Sequence, residues 1–246
     1  MKKATIDSPA VSKILRINNP FECRIIERLN RFVAKVQIGN NYYRAHLNNT
    51  GRLQEFLIKN RKAFCFKKGK LNKTDCRLFA IEERGLGALI DTQLQMKAFE
   101  NSVESGIIPW LKDCPILRRN ARLDTSLIDY LLDCKRKEVY LEVKSAVLRE
   151  GEYAMYPDCP SLRGQKHIKE LADHARKGGK GIILFMAALS EVDAFKPNKS
   201  ADPELFKLLK ESYFAGVETR AIGLYYNPAD SYVYLYNPDL KVDLNS

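Results

Sequence analysis

The sequence has no apolar run near the roughly eighteen residues a membrane helix needs, and no amino-terminal leader with an apolar core and a cleavage site. Both absences speak against secretion or membrane insertion and predict a cytoplasmic protein with free thiols. The six cysteines, Cys23, Cys65, Cys76, Cys114, Cys134 and Cys159, are scattered, with no C-x-x-C pair and no Cys/His cluster at zinc spacing. Structural zinc is therefore not expected. Internal repeats and low-complexity tracts are also missing, which excludes solenoid architectures.

What is present is ample apolar material and an excess of positive charge. At 246 residues and 45% hydrophobic content, the chain suits one large or two small packed domains. A formal net charge of +11 favours a polyanionic partner, of which nucleic acid is the usual one, although a basic balance also serves solubility.

The first eighty or so residues read as short strands. Phe32 to Ile38 alternates, Gly39-Asn40-Asn41 supplies a turn, and Tyr42 to Leu47 returns, as in a meander or small barrel. Cys76 to Ile81 is a further strand. Before it, Lys59, Arg61, Lys62, Lys67, Lys68 and Lys70 alternate with Phe64 and Phe66, which suits a strand-binding surface or, equally, a core strand with a solvated edge. After Glu82-Glu83-Arg84-Gly85 the period changes, so the predicted domains are 1–83 and 84–246. Thr92 with Gln95 resembles a capping box, opening a helix whose stripe is Met96, Phe99 and Val103 and which Glu100 flanks. Ser161 caps a second helix with the stripe Ile168, Leu171, Ala172 and Ala175, and Gly181 to Leu189 follows as a buried strand. Asp202-Pro203 opens a third helix, and strands near Ala221–Tyr226 and Tyr232–Tyr236 end an α/β half with a mixed sheet.

The most chemically definite group lies on a predicted β-hairpin, Ser126 to Asp133 and Glu138 to Leu148, joined by Cys134-Lys135-Arg136-Lys137. If Asp133 faces Glu138, then Asp129 stands opposite Glu142. Alternation puts Tyr140, Glu142, Lys144 and Ala146 on one face, and Val139, Leu141 and Val143 on the other, which reads as the buried one. Two carboxylates about 5 Å apart repel by roughly 3 kcal/mol at an effective dielectric near 20. Lys144, a shared proton or a divalent cation could offset that. A cation on Asp129, Glu142 and the Val143 carbonyl, with Lys144 steadying a water, is the set that phosphodiester hydrolysis requires, with Mg²⁺ or Mn²⁺ as the expected ion. The plainer alternative is a surface Glu142–Lys144 ion pair beside a solvated acid. Glu100 is a candidate third carboxylate, or a solvent-facing flank. Arg163, Gln165, Lys166, His167 and Lys169 sit at a helix start, where free N–H groups attract phosphate.

The run Tyr140-Leu141-Glu142-Val143-Lys144-Ser145, then Tyr156-Pro157-Asp158, then Arg163-Gly164-Gln165-Lys166-His167-Ile168-Lys169-Glu170-Leu171, resembles the signature of the sugar fermentation stimulation protein A family. Arg31-Phe32-Val33-Ala34 and His46-Leu47-Asn48-Asn49-Thr50-Gly51-Arg52 resemble its amino-terminal elements. The resemblance implies an OB-like barrel followed by a restriction-endonuclease-like PD-(D/E)xK domain, with Asp129, Glu142 and Lys144 as the motif residues and Glu100 as a loose equivalent of a helix acid. It implies DNA or RNA binding with little sequence preference. The candidate contacts are Arg31, Arg44, His46, Asn49 and Arg52 of the first domain, Lys59, Lys67 and Lys68 of the basic stretch, and Arg163, Gln165, Lys166 and His167 at the helix start. Leu47, Asp91 and Leu127 depart from the family's usual Cys, Asn and Arg. A metal-dependent nuclease and a catalytically silent DNA-binding regulator of sugar metabolism genes both fit this pattern, and a homodimer is left open.

Overall fold

The computed structural model describes residues 11–67 and 73–245; Lys68 and Lys70, both in the predicted basic stretch, lie outside them. Seven strands come first: β1 Ser12–Arg16, β2 Pro20–Asn30, β3 Val33–Ile38, β4 Asn41–Leu47, β5 Lys62–Phe66, β6 Cys76–Glu83 and β7 Leu86–Leu89. Then follow α1 Thr92–Glu104, β8 Ile116–Leu123, β9 Ser126–Asp133, β10 Glu138–Ala146, β11 Leu148–Glu150, β12 Tyr153–Tyr156 and α2 Leu162–Arg176. The chain ends with β13 Lys180–Ala187, β14 Ala194–Pro197, α3 Pro203–Phe214, β15 Glu218–Asn227 and β16 Tyr232–Val242.

Strands β2 to β6 close on themselves. β2 pairs with β3 and β5, β4 joins β3 to β6, and β5 meets β6, giving a five-stranded OB-like barrel. Closure removes the free edges of a small sheet, and the alternating apolar positions turn inward as Ile25, Val36, Leu47, Phe64 and Leu78. Phe64 and Phe66 are packing residues here: Phe64 meets the Tyr226 ring at 5.2 Å and Phe66 the Phe79 ring at 5.5 Å. They are not a stacking platform.

The second half is α/β with a mixed sheet. β10, β13 and β15 run parallel, and β8, β9 and β16 pair antiparallel around them. The β10–α2–β13 crossover is the β-α-β unit read from the sequence. Phe99 of α1 packs on Tyr130 on one face of the hairpin, while His174 of α2 packs on Tyr140 on the other. Helices therefore pack on both faces of β9 and β10, and Glu142 and Lys144 are buried although they stand on the face opposite the one that reads as buried.

Two local expectations need correction. Helix α1 is capped by Asp91, whose carboxylate accepts from Leu94 N–H at 3.0 Å, not by Thr92. Asp91 is also drawn there by an ion pair with buried Arg77. Cys114 and Cys134 form a disulfide, with Cα atoms 4.3 Å apart. The antiparallel β8–β9 register, Ile116 opposite Leu132, brings these two cysteines face to face just beyond the ladder. Cys23, Cys65, Cys76 and Cys159 are free. Among the described residues no helix is long and apolar enough to cross a membrane.

Candidate active site in the cleft between barrel and α/β domain

The hairpin register is Glu138 with Asp133, Val139 with Leu132, Tyr140 with Leu131 and Leu141 with Tyr130. The ladder stops one step short of Asp129 and Glu142, where side chains replace backbone partners. Asp129 N–H donates to Glu142 Oε2 at 3.3 Å, and Val143 N–H donates to Asp129 Oδ2 at 2.8 Å. Each acid therefore satisfies a backbone donor of the other strand, which fixes both carboxylates where the strands part.

Glu142 is only 3% exposed and Lys144 only 8%. Glu142 Oε1 accepts from Lys144 Nζ at 2.6 Å and meets His167 Nδ1 at 2.6 Å. Arg163 Nε lies 3.5 Å from His167 Nε2, on the side of the ring away from Glu142. Burial works to raise the Glu142 carboxyl, but Lys144 and His167 outweigh it and hold it below the usual range. Burial works to lower the Lys144 ammonium, and Glu142 outweighs that, holding it above the ordinary lysine range. Asp129 differs. Burial first, and then the Glu142 charge, push its carboxyl up to about 6. One acid of the pair is fully compensated and the other is short of positive charge.

These groups line a cleft of about 670 Å³ walled by the barrel on one side and the α/β half on the other. From the barrel come Arg31, Phe32 and the 47–51 loop; from the other half come Asp129, Glu142, Val143, Lys144, the 155–162 segment and Arg163. Ser161 caps α2, its Oγ accepting from Gly164 N–H at 3.1 Å. A Cβ on Gly164 would fall 2.8 Å from that oxygen and 2.9 Å from the Tyr156 hydroxyl, so glycine lets Tyr156 approach the helix start. Asp158 accepts from Leu53 N–H at 2.9 Å and thereby holds the barrel loop to the second half.

The remaining predicted residues divide. Arg31, Asn49 and Arg163 line the cleft, and His167 lies at its base on Glu142. Asn49 is 8% exposed and builds its loop, donating to Ile90 O at 2.9 Å and accepting from Gly51 N–H at 2.9 Å. Gln165 donates to Asp202 at 2.9 Å, and Lys166 lies 3.8 Å from Glu170. Arg44, Arg52, Lys59 and Lys67 are exposed, and with half-buried His46 they stand outside the lining of the cleft. Glu100 does not join Asp129 and Glu142. It is 4% exposed, accepts from the Tyr130 hydroxyl at 2.8 Å and pairs with Arg119. Because Tyr130 adjoins Asp129 on one strand, the two side chains point to opposite faces of the sheet, and Glu100 sits on the Tyr130 face. Arg28, Phe32, Tyr156 and Asp158 were not singled out as site residues. Tyr156 and Asp158 stand in the quoted motif, and Phe32 beside Arg31, which was the available signal.

Among the described residues no group of three or more His, Cys, Asp or Glu is placed to hold a metal ion. The protein offers two adjoining carboxylates instead. That set is too sparse for a closed zinc site but suits a hard divalent cation that keeps water or phosphate oxygens in its other positions. The upward push on Asp129 marks the carboxyl that gains most from such a charge.

Known proteins agree with this architecture. A family model described as the SfsA N-terminal OB domain matches residues 26–90, and one described as the sugar fermentation stimulation protein RE domain matches residues 93–230. The chain belongs to the sugar fermentation stimulation protein family. A homolog from Pyrococcus furiosus is 48% identical over 90% of this chain and 96% of that protein. One from Archaeoglobus fulgidus is 44% identical over 94% and 99%. The solved structure of Pyrococcus furiosus SfsA in complex with Ca²⁺ superposes with a TM-score of 0.91 at 46% identity, covering 94% of this chain and 99% of that one.

Proposed function

We propose that this member of the family is a divalent-metal-dependent nuclease that hydrolyses phosphodiester bonds with little sequence preference. The reading rests chiefly on Asp129 and Glu142, held together by each other's backbone at the base of a cleft, with Lys144 bonded to one of them. The net charge of +11 and the match to an OB domain model support a nucleic-acid substrate. A relative solved with Ca²⁺ supports an oxygen-ligated divalent ion.

Asp129, Glu142 and the Val143 carbonyl are the groups that would hold Mg²⁺ or Mn²⁺. When bound, the ion would supply charge neutralisation at the phosphate and a more acidic water. Lys144 would stabilise negative charge developing at the phosphate. His167 fixes the Glu142 carboxylate by its Nδ1 bond and leaves Oε2 facing Asp129. Arg163, at the amino end of α2, would draw a phosphate into the cleft.

The test is cleavage of a labelled oligonucleotide by purified protein with Mg²⁺ or Mn²⁺, with and without EDTA. Cleavage should require the ion and be lost in both Asp129→Asn and Glu142→Gln, with binding retained. Binding without cleavage under any divalent ion would replace this reading with that of a DNA-binding regulator, a role that the relatives' names suit.

A further inference from the structure

Asn30, Arg31, Phe32 and Val33 form the tip of the β2–β3 hairpin, and the chain spends several hydrogen bonds on holding that tip still. Phe32 N–H donates to Asn30 Oδ1 at 2.9 Å, and Phe32 C=O accepts from Leu47 N–H at 2.8 Å. Arg28 donates to Asn30 O at 3.1 Å, to Arg31 O at 2.9 Å and to Gly51 O at 2.8 Å, and also to Arg52 O. One guanidinium thus binds the hairpin tip to the loop that forms the barrel wall of the cleft. A Cβ on Gly51 would stand 2.6 Å from Asp158 Oδ2, so a side chain there would displace the carboxylate that holds this loop.

This fixed tip leaves the Phe32 ring 50% exposed at the cleft, with the Arg31 guanidinium 5.8 Å from its centroid. Across the cleft, at the start of α2, Leu162 is 79% exposed next to Arg163. Each wall therefore presents an apolar surface with a cation beside it. Phosphate alone needs the cations; apolar faces next to them suit a ligand that alternates phosphate with a flat base. Intact duplex hides its base faces in the stack and presents its phosphates on a convex rod, whereas Glu142 lies 3% exposed at the base of a concave cleft.

We propose that the cleft takes a single-stranded segment of nucleic acid, with one base stacked on Phe32 beside Arg31 and the adjoining phosphate drawn by Arg163 toward Asp129 and Glu142. This deepens the nuclease reading by naming its substrate class. Single-stranded regions, flaps and frayed ends would enter; the interior of a closed duplex would not.

The experiment measures binding without cutting. Fluorescence anisotropy of a labelled single-stranded oligonucleotide and of a blunt duplex of the same length is recorded in EDTA, for the native chain, Phe32→Ala and Phe32→Trp. Expected are at least tenfold tighter binding of the single strand, a loss of about tenfold or more in Phe32→Ala on the single strand alone, and recovery in Phe32→Trp. A 2-aminopurine base in the strand should be quenched by the native chain and not by Phe32→Ala. Because Phe32 is half exposed, the variant should melt with the native chain, which circular dichroism checks. Equal affinity for duplex and single strand, or unchanged single-strand affinity in Phe32→Ala, would overturn the proposal while leaving metal-dependent cleavage to be judged separately.

Discussion

His167 Nδ1 and Glu142 Oε1 lie 2.6 Å apart, and that oxygen is the one that also accepts from Lys144 Nζ. A residue of the α2 first turns is thereby tied to the hairpin at the point where its strands part. Hydrogen bonds to buried charged groups contribute more than neutral ones, so His167→Ala should cost about 2–3 kcal/mol in urea unfolding. His167→Asn, whose Nδ2 can reach the position of Nδ1, should recover more than half of that. A variant series in which Asn and Ala are equally destabilised would show that ring packing, not the bond, sets the cost.

Asp129 supplies a pH signature. Its carboxyl is raised in the folded chain to about 6, so between the ordinary aspartate value of 3.8 and that point the folded state holds the proton and the unfolded state does not. Stability in EDTA should therefore be higher on the acid side and fall as pH rises through this window, by up to about 3 kcal/mol. Asp129→Asn should abolish this segment of the pH dependence and be more stable than the native chain above pH 6. Matching stability–pH curves for the two proteins would remove the case for a strained carboxylate pair.

The junction between barrel and α1 makes a separate prediction. Asp91 is fully buried, caps α1 at Leu94 N–H and receives two bonds from Arg77, which is 4% exposed. Asp91→Ala leaves that guanidinium buried without a carboxylate partner, with only its bond to Gln93 remaining, and should cost about 3–5 kcal/mol. Asp91→Asn keeps the cap and one acceptor, and should cost clearly less. Thermal melts of the two variants decide this.

How much of this was legible in the sequence depends on the range of the contact. The hairpin register was legible because a four-residue polar loop and strict alternation leave one way to face Asp133 with Glu138. The helix starts at Ser161 and Asp202 were legible because capping is local. His167 was read as a phosphate contact from its place in a helix start. Its spacing also puts it on the stripe with Ile168, Leu171 and Ala172, and that signal would have placed it inside. Glu100 could not be resolved, since its partners, Arg119 and Tyr130, lie 19 and 30 residues away. The same holds for Asp158, whose partner Leu53 is 105 residues distant, and for β1, which pairs with β16 at the other end of the chain.

The basic residues can be ranked by where they stand. Arg31 and Arg163 line opposite walls of the cleft, whereas Lys59 and Lys67 are exposed outside its lining. A phosphate held in the cleft releases a counterion through the first two, so Arg31→Gln and Arg163→Gln should each lower the slope of log K against log salt by about 0.7 on a single strand. Affinity should fall for every sequence alike, because phosphate contacts carry no sequence information. Lys59→Gln and Lys67→Gln act only through the general field of the chain, which salt screens over about 8 Å at physiological ionic strength. Their slopes should change by less than half as much. Titrations at four salt concentrations separate the two groups, and equal slopes for all four variants would mean that bound nucleic acid spreads over the barrel surface instead of following the cleft to Asp129.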